Sequence, residues 1–214
     1  MDNLYPLSLN LKNKLCVVIG GGKVAARKIQ KLLECGATVK VVSPHLVVEL
    51  KHLLRESVLL TWIPTKYTGI DVLKGAALVF AATNNPSINE QVRLDAKALG
   101  VFVNMASNAS SGDFITPISF SQGDLQISVS TSGKVPGLSK HLKATLEDTF
   151  TPKYEVLINI LEEVRQSAIK DTPFKSENLT TLRGIIRDYP TILDDLTAGV
   201  DPKIITQQLL TLIK

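Results

Sequence analysis

The sequence predicts an α/β fold: a parallel, doubly wound sheet, then a small strand-plus-helix segment, then a helical C-terminal domain. Three observations predict it. Short apolar runs alternate with segments of helical period between Leu15 and Asn104. The first of these runs ends in three glycines and opens a helix, "VVIGGGKVAARK", Val17 to Lys28. After Asn104 the alternation stops, and from Pro152 onward only helical periodicity remains.

Bulk properties narrow the function classes. The chain has 214 residues, 44% hydrophobic and 21% charged, with 5% aromatic, which suits an aliphatic α/β core. No apolar run approaches the ~18 residues of a membrane span, so no membrane partner is expected. The N-terminal MDNLYPLSLNLKNK has no basic region followed by an apolar one, so no signal peptide is expected and a cytoplasmic location is. The net charge is +4, with its basic excess in residues 1–149. That suits an anionic small molecule and is too weak and scattered for nucleic acid. Cys16 and Cys35 read as thiols packed in a core, and no Cys/His spacing suggests a metal.

The elements follow in order. Leu15–Gly20 reads as the start of a buried strand. Lys23–Glu34 reads as a helix, with Ala25, Ile29, Leu32 and Leu33 on one face and Arg27, Lys28, Lys31 and Glu34 on the other. Gly36 ends it, and Thr38–Val42 is the second strand, which completes a right-handed βαβ unit. Leu46–Arg55 looks helical and Val58–Ile63 extended. Ala76–Ala82 is an apolar strand. Pro86–Leu99 is a helix with Ile88, Val92, Ala96 and Leu99 on one stripe, Ser87 and Glu90 at capping-box spacing, and Gly100 at its end. Val101–Asn104 is the fifth strand. Ile115–Ser121 and Leu125–Ser130 flank a "QGD" hairpin signal. Gly137–Thr149 is a helix striped by Leu138, Leu142 and Leu146. Helices follow at Tyr154–Ile169 and Glu177–Arg187, with short ones near 191–198 and 202–213. The expected layout is 1–113, 114–150 and 151–214.

The glycine turn carries the chemistry. Gly20, Gly22 and Ala25 fit G-x-G-x-x-A after a strand and before a helix. Gly20 permits the tight turn, Gly22 admits a pyrophosphate to the backbone, and Ala25 lets helix and strand pack closely. The N–H groups across Gly20, Gly21, Gly22, Lys23 and Val24, with the helix dipole, would bind phosphate. This is the Rossmann type of dinucleotide site. An acid at the end of the second strand would bind the ribose; "VVSPHL" has Ser43, Pro44 and His45 there instead. Ser43 can hydrogen-bond a ribose hydroxyl, and no Arg beside it claims a 2′-phosphate, so NAD is favoured over NADP. His45 reads equally as a surface cap or as a ligand. Thr83 and Asn84 leave the fourth strand at the edge that lines the crevice, and Asn104 ends the fifth. Each reads either as a cofactor contact or as turn chemistry, with Asn85 as a cap before Pro86.

Three stretches together, "YPLSLNLKNKLCVVIGGGKVAARKIQKLLECGATVKVVSP", "VFAATNNPSINEQV" and "FVNMASNASSGDFITPISFSQGDLQISVSTSGKVPGLSKHLKATLE", resemble the precorrin-2 dehydrogenase family of sirohaem synthesis. The resemblance covers about residues 4–150; the remainder matches only in being helical. It implies NAD-dependent oxidation of precorrin-2 to sirohydrochlorin by a homodimer whose interface is built largely by the segment after the nucleotide domain. It implies, for some members, insertion of Fe²⁺ as well. Others carry a fused methyltransferase domain, for which this chain has no room.

One position departs from the family. Better-known members carry an aspartate three residues after the asparagine that ends the fifth strand, held to act in dehydrogenation and chelation. Ser107 stands there, with Asn108 next. A hydroxyl is a poor general base without an activating partner. Asp113 is the candidate substitute, or else an exposed turn residue. The departure weakens chelation more than dehydrogenation, because hydride transfer rests mainly on orientation.

Precorrin-2 has eight carboxylates. "STSGKVPGLSKHLK" follows a strand and opens a helix, so Thr131, Ser132 and neighbouring N–H groups suit them, with Lys134, Lys140 and Lys143 as cations. His141 is a candidate for positioning or proton transfer. Two other functions fit parts of the pattern: a bifunctional dehydrogenase–ferrochelatase, and a non-catalytic NAD-sensing module.

Overall fold

The computed structural model describes residues 4–170 and 176–213. The chain divides into two compact units, residues 1–116 and 117–214.

The first unit is a five-stranded parallel sheet of order β3-β2-β1-β4-β5. Its strands are β1 (Leu15–Ile19), β2 (Thr38–Val42), β3 (Leu60–Ile63), β4 (Leu78–Ala81) and β5 (Phe102–Met105). The central strands are apolar on both sides because helices cover both faces. Cys16, Val18, Val39, Val41, Leu78 and Phe80 pack under α1 (Lys23–Glu34) and α2 (Val48–Glu56). Val17, Ile19, Val79, Ala81, Val103 and Met105 pack under α3 (Pro86–Ala98). Adjacent strands pair in register, Val18 with Val41 and Phe80, and Phe80 with Asn104.

Several expected elements shift. The second helix starts at Val48 rather than Leu46: Val47 is its N-cap with extended backbone (φ −65°, ψ 161°), and its N–H donates to the Gly21 carbonyl (2.9 Å). The third strand starts at Leu60; Val58 is 99% exposed in a turn. The crossover from β3 to β4 is made by a 3₁₀ turn, Ile70–Leu73, between Gly69 and Gly75, rather than by an α-helix. The helix after β4 has no Ser87/Glu90 capping box. Asn85 caps it, its Oδ1 accepting from the Ser87 and Ile88 N–H groups (3.0 and 3.2 Å), while Glu90 pairs with Arg93. Cys16 is buried, which pushes its thiol up to about 11, but Cys35 is exposed at the C-cap of α1, against the expectation of a core thiol.

The second unit opens with an antiparallel hairpin, β6 (Ile118–Gln122) and β7 (Leu125–Val129), turned at Gly123 with φ +56°. It continues through α4 (Pro136–Thr149), α5 (Lys153–Lys170), α6 (Ser176–Arg187), α7 (Tyr189–Thr197) and α8 (Pro202–Leu212). Leu157, Ile160, Val164, Leu182, Ile185, Ile192 and Ile205 form the core of the last four helices. Among the described residues no helix is long and apolar enough to cross a membrane.

The α4 helix lies the other way up from its expected stripe. Leu138 and Leu142 are 46% and 39% exposed, while Ser139 is buried. Lys143 lies over the Phe120 ring (5.7 Å) and pairs with Glu147 (2.6 Å). The hairpin is small and offers Phe120 as its one buried apolar side chain among the described residues, so a lysine stem suffices to cover it.

Candidate functional site

The strand order reverses at β1, with β2 on one side and β4 on the other, and an open α/β sheet of this order binds ligands outside its strand ends at that point. Gly20 sits there with φ +125°, and a Cβ on it would strike the Ala82 carbonyl at the end of β4. Only glycine fits this position. Gly21 is as confined: a Cβ would strike the His45 carbonyl, and would lie 2.8 Å from Ser43 Oγ and 2.9 Å from Leu46 Cδ2. The sequence motif assigns Gly21 no individual role, yet it is the residue on which the turn and the loop after β2 close. A Cβ on Gly22 would meet nothing within 4 Å. The three glycines therefore divide the work, two admitting protein and the third leaving open space at the helix start.

That helix start suits an anion. Gly22 is the N-cap of α1 and offers no side-chain cap, so the first-turn N–H groups have no intrahelical partner. The first turn holds no acid, and Lys23, Arg27 and Lys28 occupy the first half of the helix. Cations at a helix N-terminus oppose the macrodipole by about 0.3–1 kcal/mol each, and a bound anion reverses that sign. Ala25 is fully buried against the sheet, as close packing requires.

The neighbouring residues are held by short bonds. Ser43 Oγ donates to the His45 carbonyl (2.8 Å), and Trp62 Nε1 donates to the Ser43 carbonyl (2.9 Å). Pro44 and His45 are exposed; His45 caps nothing, since α2 is entered from Val47. The Thr83 hydroxyl donates to Asn89 Oδ1 (2.7 Å), the Thr83 N–H donates to the same atom (3.1 Å), and Asn89 Nδ2 donates to the Thr83 carbonyl (3.0 Å). Asn89 is 1% exposed and fixes the turn after β4. The one signal for it in the sequence is a polar residue beside the apolar stripe of α3. Asn84 is exposed.

Asn104 is 3% exposed on β5; its Nδ2 donates to the Phe114 carbonyl (2.9 Å), and its Oδ1 has no partner. Ser107 is exposed. Asp113 is exposed and tied to β5. Its N–H donates to the Val103 carbonyl (2.9 Å), and its Oδ2 accepts from the Val103 N–H (2.8 Å). The carboxylate thus pairs the open edge of β5. Lys28, expected on the solvated face, is half-buried instead.

In the second unit, Thr131 Oγ1 accepts from the Val135 N–H (3.2 Å) and meets Ser139 Oγ (3.2 Å). Ser132 has φ +53°, an uncommon conformation for a non-glycine residue. Lys134, Lys140 and His141 are exposed, whereas Lys143 is engaged with Glu147. The cofactor candidates thus gather in one unit and the substrate candidates in the other, except Ser107 and Asp113. Among the described residues no cluster of three or more His, Cys, Asp or Glu is arranged to hold a metal.

Comparison with known proteins gives consistent matches. A family model described as "Putative NAD(P)-binding" matches residues 7–118, and one described as "Sirohaem biosynthesis protein central" matches residues 122–149. A protein named precorrin-2 dehydrogenase from Priestia megaterium is 31% identical over 185 residues, 86% of this chain and 90% of that protein. A siroheme synthase from Chromobacterium violaceum is 35% identical over 150 residues, 70% of this chain but 32% of that protein. The chain spans about a third of the length of the siroheme synthases it matches. A solved structure named SirC, precorrin-2 dehydrogenase, superposes with a TM-score of 0.78 at 28% identity and covers 98% of both chains.

Proposed function

The chain belongs to the precorrin-2 dehydrogenase family, and on that premise we propose that it oxidises precorrin-2 to sirohydrochlorin with NAD⁺. The observation that carries the reading is the division among the glycines: Gly20 and Gly21 are closed by protein, while Gly22 stands open at an uncapped helix start. The uncapped N–H groups and the orphaned, buried Asn104 Oδ1 suit a dinucleotide with its phosphates at α1 and an amide donor near β5. NAD is preferred to NADP because the loop Ser43–Pro44–His45 brings no arginine for a 2′-phosphate.

When bound, the dinucleotide supplies the hydride acceptor. The residues of this chain bind and orient. Gly22, Lys23 and Val24 hold phosphate through backbone N–H groups. Thr83, locked by Asn89, and Asn84 set the edge of the crevice. Thr131, Ser132, Lys134 and Lys140 take substrate carboxylates, with His141 beside them. Asp113 is left out of the mechanism, since its carboxylate is engaged with Val103. Ser107 offers a hydroxyl at the family's aspartate position, so the proton leaves to solvent, and metal insertion into sirohydrochlorin is expected to be weak.

Residues 1–113 form the nucleotide part of this reading, 114–150 the substrate and dimerisation segment, and 151–214 a helical domain. A homodimer is supported by the exposed Val135, Leu138 and Leu142 of α4, an apolar face that a second copy would cover. A cytoplasmic enzyme fits the same reading. The test is direct. Purified protein, NAD⁺ and enzymatically made precorrin-2 should give NADH absorbance in step with the sirohydrochlorin bands. Tight NAD⁺ binding without turnover would support a sensor instead.

A further inference from the structure

We propose that Lys28 is a positioning residue for a ligand oxyanion, either a phosphate of the cofactor or a carboxylate of the substrate, presented beside the first turn of α1. The proposal rests on the reading above for the identity of the ligands.

Four observations carry it. Lys28 Nζ bonds the Thr116 hydroxyl (3.1 Å) and lies over the Phe80 ring (5.4 Å). Among the described residues it forms no ion pair, although half-buried. Lys28 follows Val24 by four residues on the same face of α1, within two turns of Gly22. Val24 is itself exposed beside the open Gly22. Finally, Phe80 meets Phe114 edge-on at 5.5 Å, and the Phe114 carbonyl holds Asn104, whose buried Oδ1 has no partner. A cation lacking an anion and an acceptor lacking a donor thus share one aromatic support.

Desolvation, and then the charge of Arg27, bring the Lys28 ammonium down to about 8. The groups against it are Arg27 on its own helix, Phe80 from β4 and Thr116 from the segment after β5. The acid of that segment, Asp113, is bonded to the Val103 N–H. A ligand oxyanion binds the protonated form. Affinity is therefore full below pH 8 and falls as pH rises through it.

The experiment measures NAD⁺ dissociation constants and the KM for precorrin-2 from pH 6.5 to 9.5, in wild type, Lys28→Met and Lys28→Arg. Lys28→Met is expected to weaken one ligand about tenfold at pH 7 and to flatten its pH profile; Lys28→Arg is expected to restore affinity and stay flat to high pH. An effect on NAD⁺ identifies a phosphate; an effect on KM alone identifies a carboxylate. A second readout needs no turnover: acetylation of the wild-type Lys28 amine by acetic anhydride, followed by mass spectrometry, should be fast for a lysine and slowed by the ligand it binds. Unchanged constants in Lys28→Met, or acetylation that neither NAD⁺ nor precorrin-2 slows, would overturn the proposal. Turnover by wild type with those same negative results leaves the function standing and removes only Lys28.

Discussion

Gly22→Asp separates the cofactor site from the fold. Gly22 has φ −89° and ψ −176°, a backbone any residue adopts, and a Cβ there meets nothing within 4 Å. Aspartate is a favoured N-cap, so the substitution should leave stability unchanged or raise it by about 0.5 kcal/mol. Its carboxylate would stand against the bound pyrophosphate. One unit charge at roughly 5 Å and an effective dielectric of about 20 costs about 3 kcal/mol, a loss of about 100-fold in affinity. The assay is NAD⁺ titration by intrinsic fluorescence or calorimetry, beside a thermal melt of the same sample. A folded Gly22→Asp protein that binds NAD⁺ as tightly as wild type would refute the placement of the pyrophosphate at α1.

Other substitutions test neighbouring claims. Gly21→Ala drives a Cβ into the His45 carbonyl and strains the bond from the Val47 N–H, so it should destabilise by about 2–4 kcal/mol and lower the melting temperature by roughly 10 °C; an unshifted melt contradicts the packing argument. Asp113→Ala frees the Val103 N–H at a sheet edge, which should cost about 1 kcal/mol and leave kcat within twofold; a kcat collapse in a folded variant returns Asp113 to the mechanism. Leu138→Asp with Leu142→Asp should shift sedimentation from dimer to monomer; a dimer that persists places the interface elsewhere.

The sheet was legible because each buried strand is an apolar run flanked by glycine or turn residues, and the βαβ signal at Val17–Lys28 is local. The parallel, doubly wound class followed from the same alternation, whereas the order β3-β2-β1-β4-β5 came from the structure. What stayed illegible depends on contacts between distant residues. The role of Gly21 is set by a carbonyl 24 positions away, at His45. The late start of α2 follows from the extended backbone at Val47, which ties the loop after β2 to Gly21. Helical periodicity put Lys28 on the solvent face, but its head group meets Thr116 from the segment returning after β5 and lies over the Phe80 ring. On α4 the apolar stripe was real and its direction was not deducible, because periodicity does not say which face meets the hairpin. Asp113 read as a loop acid because nothing local marks its bond to Val103.

The central claim is that an open, positively ended helix start in this chain orients a nicotinamide dinucleotide for hydride transfer from a reduced tetrapyrrole. Anaerobic mixing of the protein with precorrin-2 and NAD⁺, watched at 340 nm and across the visible bands, tests it most directly. One NADH should form for each sirohydrochlorin, and at limiting NAD⁺ the rate should fall about 100-fold in Gly22→Asp. Sirohydrochlorin formed at the same rate without NAD⁺, or no NADH at all from folded wild-type protein, would contradict it.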